Sequence, residues 1–189
     1  MKKVLIVYDS RLGSVAKMAR LIARGVATVD GCEAVVRQVS AADDEQIEGR
    51  DSEVSLADLQ ECDGLILGSP TRFGNMSHRL KRFVDSTSSL WMSGELEGKP
   101  AAVFTSSSSM HGGQESTLLS MHIPLLHLGM IIVGIPFSNE ALKRTQSGGT
   151  PYGASHVAGT SNTNEISDEE RSLCKQLGAR VAEITLKLT

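Results

Sequence analysis

Five short apolar runs, each separated from the next by a polar loop and a segment of helical period, leave few architectures open to this chain. The runs are residues 4–8 (VLIVY), 34–39 (AVVRQV), 64–68 (GLILG), 101–105 (AAVFT) and 130–135 (MIIVGI). They are rich in β-branched residues and nearly continuous rather than alternating, as in strands covered on both faces of a parallel sheet. Between them lie helical stripes. Val15, Met18, Ile22 and Val26 form one, and Met76, Leu80 and Phe83 begin another. Leu173, Leu177, Val181, Ile184 and Leu188 form a long last one, opened by a Ser167-x-x-Glu170 capping box. This alternation predicts a doubly wound α/β sheet of five parallel strands, with right-handed crossovers placing helices on both faces. In such sheets a ligand binds beyond the carboxyl ends of the strands, where the strand order reverses.

One domain accounts for all 189 residues, since a single core commonly serves about 100 to 200. The balance of 19 Lys+Arg against 22 Asp+Glu shows no excess of charge to attract nucleic acid or an acidic membrane. No apolar run approaches the roughly 18 residues of a membrane span, and Met1-Lys2-Lys3 leads straight into the first strand. Cys32, Cys62 and Cys174 form no CxxC pair, which fits a reducing compartment, so a cytoplasmic protein is expected. Residues 43–53 read as an acidic, solvated loop. Residues 136–165 show neither period and are expected to be ordered by neighbouring subunits, having little apolar surface of their own.

The chemistry is expected in three loops at the carboxyl edge. The first βα junction reads Ser10-Arg11-Leu12-Gly13-Ser14-Val15, in which two hydroxyls and a helix N-terminus suit an anion such as phosphate. A plain helix cap would carry the same residues. The third strand ends in Gly68-Ser69-Pro70-Thr71-Arg72-Phe73-Gly74-Asn75-Met76, and the fourth in Ser106-Ser107-Ser108-Ser109-Met110-His111-Gly112-Gly113-Gln114. The first loop lacks GxGxxG, residues 94–99 lack P-loop spacing, and no GxSxG elbow occurs. The five histidines show no metal-ligand spacing.

These loops, together with Leu90-Trp91-x-x-Gly94, His111-Gly112-Gly113-Gln114-Glu115, His127-x-Gly129-Met130 and Gly149-Thr150-Pro151-Tyr152-Gly153-Ala154, resemble the WrbA family of flavodoxin-like NAD(P)H:quinone oxidoreductases. The resemblance implies a flavodoxin-like sheet of order 2-1-3-4-5 and a homotetramer with one FMN per subunit, reduced by NADH or NADPH and reoxidised by quinones. Residues 10–15 would then hold the FMN phosphate. Pro70, Thr71, Arg72, Phe73, Gly74 and Asn75 would border the isoalloxazine ring, and residues 106–112 its pyrimidine edge. His127 would approach from a neighbouring subunit, while Trp91 and Leu12 would line the space for quinone or nicotinamide. His111 and His127 are the candidates for supplying a proton to the quinol.

Two departures from the family stand out. Leu12 occupies a position where an aromatic residue commonly contacts the nicotinamide nucleotide, and the strand-4 loop carries four serines where Thr, Gly and Ser usually alternate. Trp91 also has a plainer reading as a core anchor. Two other functions fit the same fold: an FMN electron carrier without an organic substrate, and a flavin-free adaptor.

Overall fold

The computed structural model describes residues 1–40 and 51–188. Its sheet runs β2 (Cys32–Gln38), β1 (Lys2–Tyr8), β3 (Gly64–Pro70), β4 (Pro100–Ser107), all parallel, which is the reversal at β1/β3 expected of the order 2-1-3-4-5. The fifth position is divided. The short β5 (Ile131–Ile132) pairs with Pro100 and Ala101 at the start of β4. A sixth strand, β6 (Ala154–Val157), pairs in parallel with Phe104 to Ser107 at its end. The chain thus leaves the edge after β5, makes the short helix α6 (Glu140–Arg144), and returns to the same edge.

This corrects the reading of residues 136–165, which already have partners in their own chain. Ala141, Leu142, Ala154, Val157 and Ala158 are buried. Polar bonding does the rest, through the capping box of the last helix, α7 (Asp168–Leu188). The Ser167 hydroxyl accepts from the Glu170 amide at 3.2 Å, and the Ser167 amide donates to Glu170 Oε2 at 2.9 Å. The carboxylate also accepts from His156 Nδ1 (2.8 Å) and from the amides of Gly148 (2.8 Å) and Val157 (3.2 Å). A carboxylate 1% exposed is tolerable only when its acceptor sites are filled in this way. Desolvation pushes the Glu170 carboxyl up, but bonds from His156, Ser167 and Gly148 outweigh it and hold it below the ordinary range.

The two faces of the sheet are covered as the stripes predict. One face carries α1 (Ser14–Val26) and α7, which bury Val15, Met18, Ile22, Val26, Leu173, Leu177 and Val181. The two helices approach closely at Gly25 and Gly178. A Cβ at Gly25 would lie 1.9 Å from the Lys175 carbonyl oxygen, and one at Gly178 would lie 2.1 Å from that of Ile22. The other face carries α2 (Leu56–Glu61), α3 (His78–Asp85), α4 (Ser88–Ser93) and α5 (Gln114–His127). Among the described residues, no helix is long and apolar enough to cross a membrane.

Of the acidic stretch, residues 43–50 lie outside the described residues. Asp51 does not behave as a solvated loop charge: it accepts a 2.7 Å bond from the Tyr8 hydroxyl and pairs with Arg20. Burial and the Asp51 bond together push the Tyr8 phenol up to about 12.

Candidate functional site

The loops after β1, β3, β4 and β6 line an open crevice of about 120 Å³ at the carboxyl edge, over the β1/β3 switch. From the first loop come Ser10, Arg11, Leu12, Ser14 and Val15, from the second Pro70 and Arg72, and from the third Ser106, Ser107 and Ser108. The fourth wall, Ala158, Gly159, Thr160 and Asn162, was not expected. It follows β6, a strand of four residues containing Ser155 and His156, whose apolar signal is too weak to mark it. Gly159, Asn162 and Asn164 were the available hint, being turn-forming residues grouped after a Gly-rich motif.

The first loop is built to receive an anion. Gly13 caps α1 at a left-handed φ of 91° and has no side chain to satisfy the helix amides. Ser10 Oγ accepts from the Ala16 amide at 3.2 Å, leaving its own hydrogen available. Among the described residues no acceptor bonds the Ser14 or Val15 amide, two of the donors that a helix start leaves open. Beneath them Asp9 is buried at the end of β1 and pairs with Arg79 of α3 at 3.8 Å.

The second loop folds into a tight turn in which the Arg72 and Asn75 amides each donate to the other's carbonyl, at 2.8 and 2.9 Å. Phe73, at its tip, has a positive φ of 50° and is fully exposed. An aromatic side chain held in that conformation against water is strained and uncovered at once, a combination found at binding sites rather than in cores. Gly74 follows it in the turn. Thr71 faces inward. Thr117 donates to the Thr71 hydroxyl (3.2 Å), which lies 3.2 Å from that of Thr105, and Thr105 donates to the Ser69 carbonyl (2.7 Å). With one hydrogen per hydroxyl the relay runs one way, and it locks β3, β4 and α5 beneath the crevice.

The third loop is shaped by its own backbone. Ser107 Oγ donates to the Ser109 carbonyl at 2.7 Å, which also accepts from the Gly112 amide at 3.2 Å. Ser108, Ser109, Met110 and His111 are exposed along this turn.

Trp91 and His127 do not line the crevice of their own chain. α5 runs from the strand-4 loop back to the start of β5, so His127 at its end lies at the amino edge of the sheet. Trp91, in α4 before β4, meets it there in a hollow shared with Val84, Thr87, Pro124 and Leu128. Trp91 is 54% exposed and therefore is not a core anchor. Leu119, Ile123 and Leu126 form an apolar stripe on the outer face of α5, with Met92 and Ile131 also exposed.

The family described as NADPH-dependent FMN reductase matches residues 2–141. A Syntrophobacter fumaroxidans protein named NAD(P)H dehydrogenase (quinone) is 45% identical, covering 99% of this chain and 98% of its own. A Geotalea uraniireducens protein of the same name is 40% identical, with 98% of each covered. Among solved structures, a WrbA-like flavodoxin from Agrobacterium tumefaciens superposes with a TM-score of 0.74 at 25% identity, covering all of both chains. Oxidised flavodoxin 1 from Bacillus cereus superposes with a TM-score of 0.65 at 22% identity, covering 96% of this chain and 98% of that one. With a family model matching residues 2–141 and relatives alike from end to end, the chain belongs to the NADPH-dependent FMN reductase family, on a flavodoxin-like fold.

Proposed function

We propose that this protein is an FMN-dependent NAD(P)H:quinone oxidoreductase whose flavin lies in the carboxyl-edge crevice. The observation that carries this reading is the pair of open amides at Ser14 and Val15 beside the free hydrogen of Ser10. These are neutral donors converging where a helix start favours one terminal phosphate. Bound FMN would supply the redox chemistry, taking two electrons from NADH or NADPH and passing them to a quinone.

The chain's residues would bind, orient and shield. Ser10, Arg11, Leu12, Gly13, Ser14 and Val15 would surround the phosphate end, and Pro70, Thr71, Arg72, Phe73, Gly74 and Asn75 would border the ring. Residues 106–112, a loop of small side chains, would present backbone amides to the pyrimidine edge, where a reduced flavin carries negative charge. His111 or His127 would deliver a proton to the quinol oxygen. Leu12, exposed at the mouth, would offer the nicotinamide nucleotide an aliphatic surface in place of a ring.

Trp91 and His127 reach a crevice only from another subunit. The exposed apolar stripe on α5 supports such an assembly, since a contiguous apolar face of this kind is characteristic of interfaces. We assign the protein as a cytoplasmic homotetramer in which each hollow closes a neighbour's crevice. One space over the flavin then serves donor and acceptor in turn. Initial rates of NADH or NADPH oxidation at several benzoquinone concentrations should give parallel double-reciprocal lines. Intersecting lines would require both substrates to be bound together and would defeat the single-space reading.

A further inference from the structure

Asn162 stands on the fourth wall, 148 residues beyond Ser14, yet it makes two bonds to the first loop. Its Nδ2 donates to the Leu12 carbonyl at 3.0 Å, and its Oδ1 accepts from the Ser14 hydroxyl at 2.7 Å. The carbonyl can only accept, so it fixes which way the amide faces, and Oδ1 must then take the serine hydrogen. A hydroxyl has one hydrogen. While Ser14 donates to Asn162, its side chain has none for a phosphate, and the Ser14 and Val15 amides remain as donors.

Asn162 is itself held for this task. Its φ is 56°, one of two positive values among the described non-glycine residues, and its amide donates to the Gly159 carbonyl at 3.1 Å. Two residues on, the Asn164 amide donates to the Ala158 carbonyl and its side chain to the Val157 carbonyl, both at 3.0 Å, closing the turn onto the end of β6. Asparagine adopts left-handed backbone more readily than most residues, and these backbone and side-chain bonds hold it there.

We infer that Asn162 is a positioning residue for the flavin phosphate: by clamping Leu12 and Ser14 from the opposite wall, it holds the first loop with its open amides converged before the ligand arrives. This rests on the reading of the crevice as the FMN site. Preorganisation of this kind raises affinity by removing the cost of ordering the loop on binding. It acts on the phosphate end alone, so it separates FMN from riboflavin, which has the same ring and ribityl chain without the phosphate.

The test compares Asn162→Gly with the parent, titrating each apoprotein with FMN and with riboflavin by quenching of flavin fluorescence. Glycine accepts the left-handed φ without strain, so the variant removes both side-chain bonds and leaves the turn its backbone. With two hydrogen bonds lost, the FMN Kd should rise about 5- to 160-fold, with the riboflavin Kd within about twofold of the parent's. Equal weakening of both flavins, or of neither, would overturn the proposal. Should the glycine variant fail to fold, Asn162→Asp serves: it still accepts from Ser14, cannot donate to Leu12 and adds negative charge, so its FMN Kd should rise with riboflavin binding retained, and an unchanged FMN Kd would again overturn it. A parent that binds neither flavin would instead remove the FMN reading of the crevice.

Discussion

The two edges of the sheet are built on different terms. At the carboxyl edge four loops from distant parts of the sequence are joined by polar bonds within one chain: Asn162 to Leu12 and Ser14, Thr117 through Thr71 to Thr105, and Glu170 to the β6 edge. At the amino edge, Trp91, Met92, Ile123, Leu126 and His127 are exposed, and no described element of the chain covers them. Polar bonds are directional, so they fix loops one by one. Apolar burial has no direction and serves better to join whole surfaces. On the proposed reading, the first edge frames the flavin and the second meets a neighbouring subunit.

The largest expected effect comes from breaking the frame of the first edge. Glu170→Gln replaces an acceptor of four donors by an amide whose nitrogen takes the place of one oxygen and faces the two donors which that oxygen served. Leaving a buried donor unsatisfied typically costs about 1 to 3 kcal/mol, measurable by urea denaturation at neutral pH. The pH dependence has a definite sign. Because the folded carboxyl titrates below its ordinary 4.5, its contribution is complete above that value and is lost as the pH falls through the lowered folded value. The parent should therefore lose stability on acidification in a step the glutamine variant lacks. Equal acid sensitivity would show that the strut does not bear on the fold.

Breaking the second edge should leave FMN in place. Leu126→Glu puts a charge into the apolar stripe and should reduce the proposed tetramer to monomers by native mass. Quinone kcat/KM should fall at least as far as in Trp91→Ala, where loss of ring stacking corresponds to about 2- to 13-fold. A monomeric variant with full quinone turnover would detach Trp91 and His127 from the chemistry and collapse the contrast between the edges.

That contrast also explains what was legible in the sequence. β1 to β4, the stripes of α1 and α7 and the Ser167–Glu170 box were legible because each rests on local pattern: period, β-branching and capping spacing. β6 was not, since its polar Ser155 and His156 are buried only with partners from elsewhere in the chain, the Gly149 amide for Ser155 and the Glu170 carboxylate for His156. With β6 went the fourth wall and Asn162, which belong to no local motif. Trp91 and His127 were visible as motif residues, but only the fold reveals that their own crevice lies at the other edge of the sheet.

The central claim is that electrons pass from a nicotinamide nucleotide to a quinone through flavin held in the carboxyl-edge crevice. Anaerobic absorbance of the FMN-loaded protein tests it most directly. One equivalent of NADH or NADPH should bleach the flavin band, and one equivalent of benzoquinone should restore it. A band that neither nucleotide bleaches, or that benzoquinone does not restore, would contradict the claim and leave a flavin carrier in its place.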